Sequence, residues 1–124
     1  MGELSKALEC RETVKNRAEG MCERCCRSTS LTLHHRKKRS QGGAWTPTNI
    51  LALCGHGTSG CHGWVEHNPN AAELEGLHVR PWQNPDELRV LYRGAWAMLT
   101  ADGKVEYARE EVASDDGELL PAAE

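Results

Sequence analysis

The chain has 124 residues, of which 39% are apolar and 5% aromatic, with no Phe and a net charge of −3, so one small domain with a modest core is expected. No apolar run approaches the roughly 18 residues of a membrane-spanning helix, and no hydrophobic export segment follows Met1. A membrane protein, a secreted protein and a large multidomain enzyme are therefore disfavoured, and a cytoplasmic location is expected.

Charged residues are distributed unevenly along the chain. Residues 6–39 hold ten of the fifteen Lys and Arg with four Glu, residues 40–65 hold no charged residue, and residues 66–124 hold thirteen acids and five bases. The densest basic part is the run Arg36-Lys37-Lys38-Arg39. Such a run is often only a solvated face, but the basic half as a whole favours a surface that faces a polyanion.

The first 54 residues predict a helix and two strands. Apolar spacing predicts an amphipathic helix over residues 3–18 that ends before Gly20, with an apolar side formed by Leu4, Ala7, Leu8, Val14 and Ala18. The segment 31–35, Leu-Thr-Leu-His-His, alternates in character and predicts a short strand. The apolar run 49–54 predicts a second strand.

The rest of the chain predicts short helices and a hairpin. Residues 62–67 favour a short helix, after which Asn68 is expected to cap a second helix that has Pro69 at its first position and ends at Gly76. Segments 88–99 and 104–108 flank an Asp-Gly turn and predict a β-hairpin extension, anchored by Trp82 and Trp96. The expected organisation is a core over 1–76, an extension packed on it over 77–113, and a disordered acidic tail over 114–124.

Six Cys in a chain without an export signal favour metal ligands or reactive thiols over disulfides. Two pairs flank the predicted strands and would complete one tetrahedral structural Zn²⁺ site: Cys22 with Cys25, and Cys54 with Cys61. His56 is an alternative to Cys54, and a redox pair or buried thiols are alternatives to zinc. Cys10 and Cys26 receive no role.

The segment from Cys22 to Asn68 resembles the HNH endonucleases, especially the small phage-encoded kind. The resemblance rests on the order and spacing of the CxxC knuckle, Leu33-His34-His35-Arg36, Gly42-Gly43, Asn49, Leu53-Cys54 and Cys61-His62-Gly63-Trp64. It implies an α+β fold with a ββα-metal core, in which a hairpin and a short helix hold one divalent ion beside the four-cysteine zinc site. An N-terminal helix and a C-terminal β-hairpin extension would complete it.

The resemblance also implies roles for individual residues. His34 and His62 would bind the catalytic ion and His35 would be the general base. Neighbouring strand residues point to opposite sides, so the two adjacent histidines cannot share one role, and an imidazole pKa near 6.5 suits proton removal from water. The third ligand is expected at Glu66, with His67 as the alternative.

Other residues are expected to support the site. Asn49 corresponds to the central Asn of the motif, and its amide is expected to bond across the loop and hold the strand that carries His35. The run Arg36, Lys37, Lys38 and Arg39 is expected to contact DNA phosphates. Trp45 and Trp64 flank the site. Each ring either packs in the core or stacks on a base of the bound DNA.

The implied activity is metal-dependent hydrolysis of phosphodiester bonds in DNA, giving 5′-phosphate and 3′-hydroxyl ends. Mg²⁺, Mn²⁺ or a transition metal would be the catalytic ion, beside the structural zinc. One alternative is a non-catalytic, zinc-stapled DNA-binding module. Another is a subunit that assists phage genome packaging with the large terminase subunit, in the host cytoplasm.

Overall fold

The computed structural model describes residues 2–108. The helices are α1 Gly2–Ala18, α2 Gly60–His67 and α3 Pro69–Leu74, and the strands are β1 Leu31–His35, β2 Ile50–Cys54, β3 Val90–Tyr92, β4 Ala95–Leu99 and β5 Val105–Tyr107. This order confirms the predicted α+β class. The predicted tail 114–124 lies outside the described residues. Within 2–108, no helix combines the length and the apolar character that crossing a membrane requires.

An antiparallel hairpin of β1 and β2 forms the centre of the fold, with Leu33 opposite Ala52 and His35 opposite Ile50. Alternate side chains point to opposite faces, and both faces are covered. The first face packs on α1, in a cluster of Cys10, Val14, Ala18, Ile50 and Ala52. The second packs on α2, α3 and the C-terminal sheet, in a cluster that includes Leu51, Leu53, Val65, Leu77 and Val90. Strand β2 is therefore buried along its whole length.

Helix α1 packs through its second half. Val14 and Ala18 are buried, as predicted, and Cys10 joins them, whereas Leu4 and Leu8 are 67% and 57% exposed. The prediction was wrong for these two leucines because the helix is longer than the surface beneath it. Its 17 residues extend about 25 Å, while a five-residue strand extends only about 17 Å.

Helices α2 and α3 meet at Asn68 and Pro69. Pro69 occupies the first position of α3, as predicted. The Asn68 side chain does not cap α3 as expected. Its Nδ2 instead donates to the Trp64 carbonyl at 2.9 Å, at the end of α2. After α3, Gly76 has a φ of +77°, and a Cβ there would clash with the Arg89 carbonyl oxygen. Only glycine lets the start of β3 approach this closely.

The C-terminal part is a three-stranded antiparallel sheet in the order β3-β4-β5. The predicted Asp-Gly turn joins β4 to β5, but segment 88–99 also folds back at Arg93 and Gly94, which the sequence prediction missed. Both turn residues have positive φ, 49° and 88°. The Arg93 guanidinium compensates by donating to three carbonyls at the end of α1 and in the knuckle, those of Ala18, Met21 and Cys22. The sheet is thereby tied to the N-terminal half.

The two tryptophans of this part have different environments. Trp96 is half-buried, and the Arg89 guanidinium lies 4.8 Å from its ring centroid. Trp82 is 79% exposed. The prediction that Trp82 anchors the extension is therefore wrong, because its ring lies outside both hydrophobic clusters.

Glu23, in the knuckle after α1, joins three elements to one another. Its buried carboxylate accepts from Arg17 at 2.7 and 2.9 Å, from the Ala52 amide at 2.9 Å and from the Tyr92 hydroxyl at 2.6 Å. Burial and the Glu23 charge raise the pKa of Tyr92, so its hydroxyl stays a donor. This network fixes the knuckle against the central hairpin.

Candidate active site

Four cysteine side chains converge between the knuckle, the end of β2 and the start of α2: Cys22, Cys25, Cys54 and Cys61. Their sulfur atoms all lie within 4.8 Å of one another. Cys25 Sγ and Cys54 Sγ are 3.7 Å apart, far beyond the roughly 2.0 Å of a disulfide bond. Four Zn–S bonds of about 2.3 Å in a tetrahedron place the sulfurs about 3.8 Å apart. The cluster therefore fits one Zn²⁺ ion.

Backbone amides point at these sulfur atoms. The Arg24 and Cys25 amides both donate to Cys22 Sγ at 3.4 Å, and the Cys61 amide donates to Cys54 Sγ at 3.3 Å. Burial alone would raise the pKa of Cys22, but the Cys25 and Arg24 amides stabilise its thiolate and help to bring the pKa down to about 7. Burial raises the pKa of Cys61 to about 12, against the opposing effect of the Arg24 guanidinium. A bound cation would favour the thiolate form of all four.

The other candidates for this site lie apart from it. His56 is exposed, and its Nδ1 accepts from the Thr58 amide at 3.2 Å. Cys26 is exposed and Cys10 is buried in the cluster beneath α1. Within the described part of the chain, the group consists of the four predicted cysteines.

A second group brings together His34 of β1 with His62 and Glu66 of α2. Glu66 Oε2 lies 3.7 Å from His34 Nδ1 and 3.8 Å from His62 Nε2. His62 and Glu66 are one helical turn apart and share a face of α2, which packs on the hairpin face that carries His34. Two imidazole nitrogens and one carboxylate oxygen are a donor set for a divalent first-row metal ion.

Hydrogen bonds on the far side of each ring determine which nitrogen faces this group. His34 Nε2 lies 2.7 Å from the Leu77 carbonyl, which only accepts, so Nε2 carries the hydrogen and Nδ1 presents a lone pair. Thr32 Oγ1 donates its single hydrogen to the Gly55 carbonyl at 2.7 Å. It must therefore accept from His62 Nδ1–H, at 2.6 Å, which leaves the lone pair on His62 Nε2. Both lone pairs face the Glu66 carboxylate.

Burial keeps both rings neutral, the form that binds metal. His34 is 2% exposed, and burial lowers its pKa to about 3. Burial also lowers the pKa of His62, although the Glu66 carboxylate opposes this change. The Glu66 side chain is 37% exposed, so the group opens to solvent on that side.

Glu66 rather than His67 joins the group. The His67 side chain is directed back along its own helix, where Nδ1 lies 2.8 Å from the Gly63 carbonyl. This geometry favours the first of the two predicted alternatives for the third ligand.

Three residues beside this group were missed in the sequence: Thr32, Leu77 and His78. His78 packs edge-on against His34 with ring centroids 5.4 Å apart, and its Nε2 lies 3.1 Å from the Val65 carbonyl. A signal existed for Thr32, which precedes His34 by two residues and so shares its strand face. No local pattern marks Leu77 or His78, because they reach His34 only through tertiary packing.

His35, the last residue of β1, points to the opposite hairpin face from His34. Its ring makes an edge contact with Trp45, with centroids 4.6 Å apart. His35 Nε2 is buried and has no hydrogen-bond partner within residues 2–108. Burial lowers the pKa of His35 and the Arg39 charge lowers it further, so the ring is neutral and Nε2 is uncommitted.

Asn49 connects the two ends of the loop between the strands. Its Oδ1 accepts from the Lys37 amide at 2.8 Å, and its Nδ2 donates to the Lys37 and Ala44 carbonyls at 3.1 Å. Gly43 packs on the same stretch, since a Cβ there would clash with the Lys37 carbonyl oxygen. The loop is thereby folded tightly onto the end of β1, next to His35.

The basic run has an inward and an outward part. Arg36 is fully buried, and its five N–H donors each match a carbonyl at 2.8–3.3 Å, those of Gly76, Thr48, Pro85, Leu88 and Arg89. The prediction that Arg36 contacts DNA is therefore wrong. Lys38 and Arg39 are exposed and Lys37 is half-buried, so these three stay candidates.

Trp45 and Trp64 both pack partly against the hydrophobic clusters. Arg24 lies 3.9 Å from the Trp64 ring centroid and Arg11 lies 5.2 Å from that of Trp45. Core packing therefore accounts for the buried part of each ring, and stacking of the remaining surface on a base stays a prediction.

A hairpin and a following helix bring a His-His-Glu group beside a four-cysteine cluster, and both groups could hold a metal ion. The family model for HNH endonucleases matches residues 22–63, about a third of the chain. Over this segment, from the first knuckle cysteine to the start of α2, the chain is similar to the HNH endonucleases, a family of nucleases in which some members are non-catalytic. No curated protein and no solved structure matches the chain.

Proposed function

We propose that the protein is a metal-dependent endonuclease that hydrolyses phosphodiester bonds in DNA. The main support for this proposal is that two imidazole lone pairs and one carboxylate converge, from His34, His62 and Glu66. Hydrogen bonds on the opposite side of each ring hold the lone pairs in this direction before any ion binds. The match to the HNH family supports DNA as the substrate.

In this proposal His34, His62 and Glu66 would hold a divalent ion, whose positive charge would stabilise the charge that develops on the phosphate and the leaving oxygen. His35 Nε2, which is neutral and uncommitted, accepts a proton from water. The water oxygen bonds to phosphorus and the P–O3′ bond breaks, which leaves a 5′-phosphate and a 3′-hydroxyl protonated by solvent. The exposed Lys38 neutralises neighbouring phosphates.

The donor set also bears on the identity of the ion. Mg²⁺ prefers an all-oxygen octahedron, whereas imidazole nitrogens suit first-row transition metals. We therefore expect Mn²⁺ or Ni²⁺ to support activity at lower concentrations than Mg²⁺. The four-cysteine cluster, with its thiolate ligands, is assigned a separate structural Zn²⁺.

Plasmid nicking with single variants tests the proposal. His35→Ala should lower the nicking rate by at least about 100-fold, while zinc content and Mn²⁺ affinity stay at the level of the parent protein. His34→Ala should lose both nicking and Mn²⁺ binding in calorimetry. His56→Ala is the matched control, since His56 is exposed and outside both groups. Unchanged nicking by the His35 variant would show that the base is another residue.

The third ligand is tested by a pair of adjacent variants. Glu66→Gln removes the anionic oxygen and should weaken Mn²⁺ binding at least tenfold, whereas His67→Asn should bind as the parent does. The reverse result would assign the site to His67. If wild-type protein binds DNA but nicks in none of the three metals, the protein is a non-catalytic binding module.

A role in phage genome packaging, together with the large terminase subunit, is a finer proposal that rests on the sequence resemblance. Copurification of the two purified proteins tests it. Absence of a complex at micromolar concentrations would separate this protein from packaging while leaving the nuclease proposal intact.

A further inference from the structure

Among residues 2–108, Trp82 is the largest side chain that the fold leaves in solvent, and 79% of its surface is exposed. An exposed indole keeps a large flat apolar surface in water, and such rings are enriched at binding surfaces. The predicted role as an anchor for the C-terminal extension does not account for it.

The indole is carried by an ordered turn. The Arg80 amide donates to Gln83 Oε1 at 2.9 Å and the Gln83 amide donates to the Arg80 carbonyl at 3.0 Å. Lys37 Nζ donates to the Gln83 carbonyl at 3.3 Å, and Pro81 restricts the backbone just before Trp82. The backbone that carries the ring is therefore ordered before a partner binds, which lowers the entropy cost of binding.

This turn stands close to the candidate active site. The Leu77 carbonyl accepts from His34, and the Val79 amide donates to the Arg36 carbonyl at 3.0 Å, so the chain here runs along the end of β1. Trp82 follows Val79 by three residues, a reach of at most about 10 Å.

Trp82 and Lys37 line one cleft of about 360 Å³, together with Gly43 and Asn49 of the folded loop. Asp86 is the acidic residue in the lining of this cleft, and its carboxylate accepts a hydrogen bond from the Thr48 hydroxyl. A cation on one wall and an indole on the rim match the two parts of a nucleotide, its phosphate and its base. The exposed Lys38 extends the positive charge beside the cleft.

We propose that Trp82 stacks on an unpaired base of the substrate, so that the preferred substrate is single-stranded or locally unpaired DNA rather than intact duplex. The inference rests on the proposed function, because it specifies the form of the DNA that the same site receives. In a duplex both faces of each base are already stacked, and exposing one costs stacking energy. An unpaired base offers its face to the indole without that cost.

Fluorescence anisotropy with labelled oligonucleotides tests the proposal, using the full chain without added divalent metal so that no strand is cut. The probes are a 20-residue thymidine strand, an abasic strand of equal length and a fully paired duplex. Trp82→Ala should weaken binding to the thymidine strand about 5- to 100-fold and leave binding to the abasic strand unchanged. Trp82→Phe should restore most of the affinity. Leu74→Ala, at a residue that is 78% exposed, is the matched control.

The pattern of affinity losses supports or overturns the stacking proposal. A loss confined to strands that carry bases, with rescue by Phe, supports stacking. Equal losses on thymidine and abasic strands, or none on either, overturn it while the nuclease proposal stands, provided that wild-type protein still binds and nicks DNA. Failure of the wild-type protein to bind any of the three probes overturns this inference, and the proposed function falls with it only if plasmid nicking with Mn²⁺ is also absent.

Discussion

Replacing Arg36 with Met separates a buried structural arginine from a DNA contact. Three of the guanidinium hydrogen bonds are short, 2.8–3.0 Å to Gly76, Thr48 and Leu88. At about 1.5–3 kcal/mol for each bond from a charged donor, they contribute about 5–9 kcal/mol. Burial lowers the pKa of Arg36 to about 10, a desolvation cost that these net values already contain. The Met side chain regains part of the loss by burying apolar surface, so the free energy of unfolding should fall by about 4 kcal/mol or more.

Urea unfolding of the zinc-loaded protein, followed by tryptophan fluorescence, measures this loss. Lys38→Met is the matched control: Lys38 is exposed, so its stability should change by less than about 0.5 kcal/mol while its DNA affinity falls. The Arg36 variant, in conditions where it stays folded, should bind DNA as the parent does. A stability within about 1 kcal/mol of the parent, combined with weakened DNA binding, would refute the reasoning and return Arg36 to the DNA surface.

Further predictions concern the two metal groups and the basic surface. Thr32→Val removes the acceptor that orients His62 and should weaken Mn²⁺ binding about 10- to 100-fold in calorimetry, with Thr32→Ser restoring it. Cys25→Ser should lose zinc by elemental analysis and melt at a lower temperature, whereas the neighbouring Cys26→Ser should keep both, and equal zinc loss in the two would contradict the assigned ligands. Lys38→Gln should reduce the slope of log K against log salt by about one, and an unchanged slope would exclude a phosphate contact.

The central hairpin and the cysteine cluster were accessible to sequence reasoning because their signals are local. Each strand of the hairpin has its own sequence signal: alternation predicts the strand in 31–35, and an apolar run predicts the strand in 49–54. The two cysteine pairs flank these strands in the chain, one before β1 and one from the end of β2 to the start of α2, so pairing the strands helps to bring them together. Helix α1 shows the limit of such patterns, because an apolar stripe does not reveal how much of a helix has a surface beneath it.

The sequence by itself predicted the α+β class, the resemblance of one segment to HNH endonucleases and the residues of the two candidate metal sites, with Glu66 and His67 left as alternatives for one position. The tertiary structure alone decided that Arg36 points inward and Trp82 outward, although Arg36 sits in a basic run and Trp82 is a large apolar side chain. The physical reason is that the segment after α3 crosses the end of β1. Its carbonyls surround Arg36 and orient His34 through contacts between residues 40 or more positions apart, which no local pattern encodes. Its exposed turn holds Trp82 in solvent.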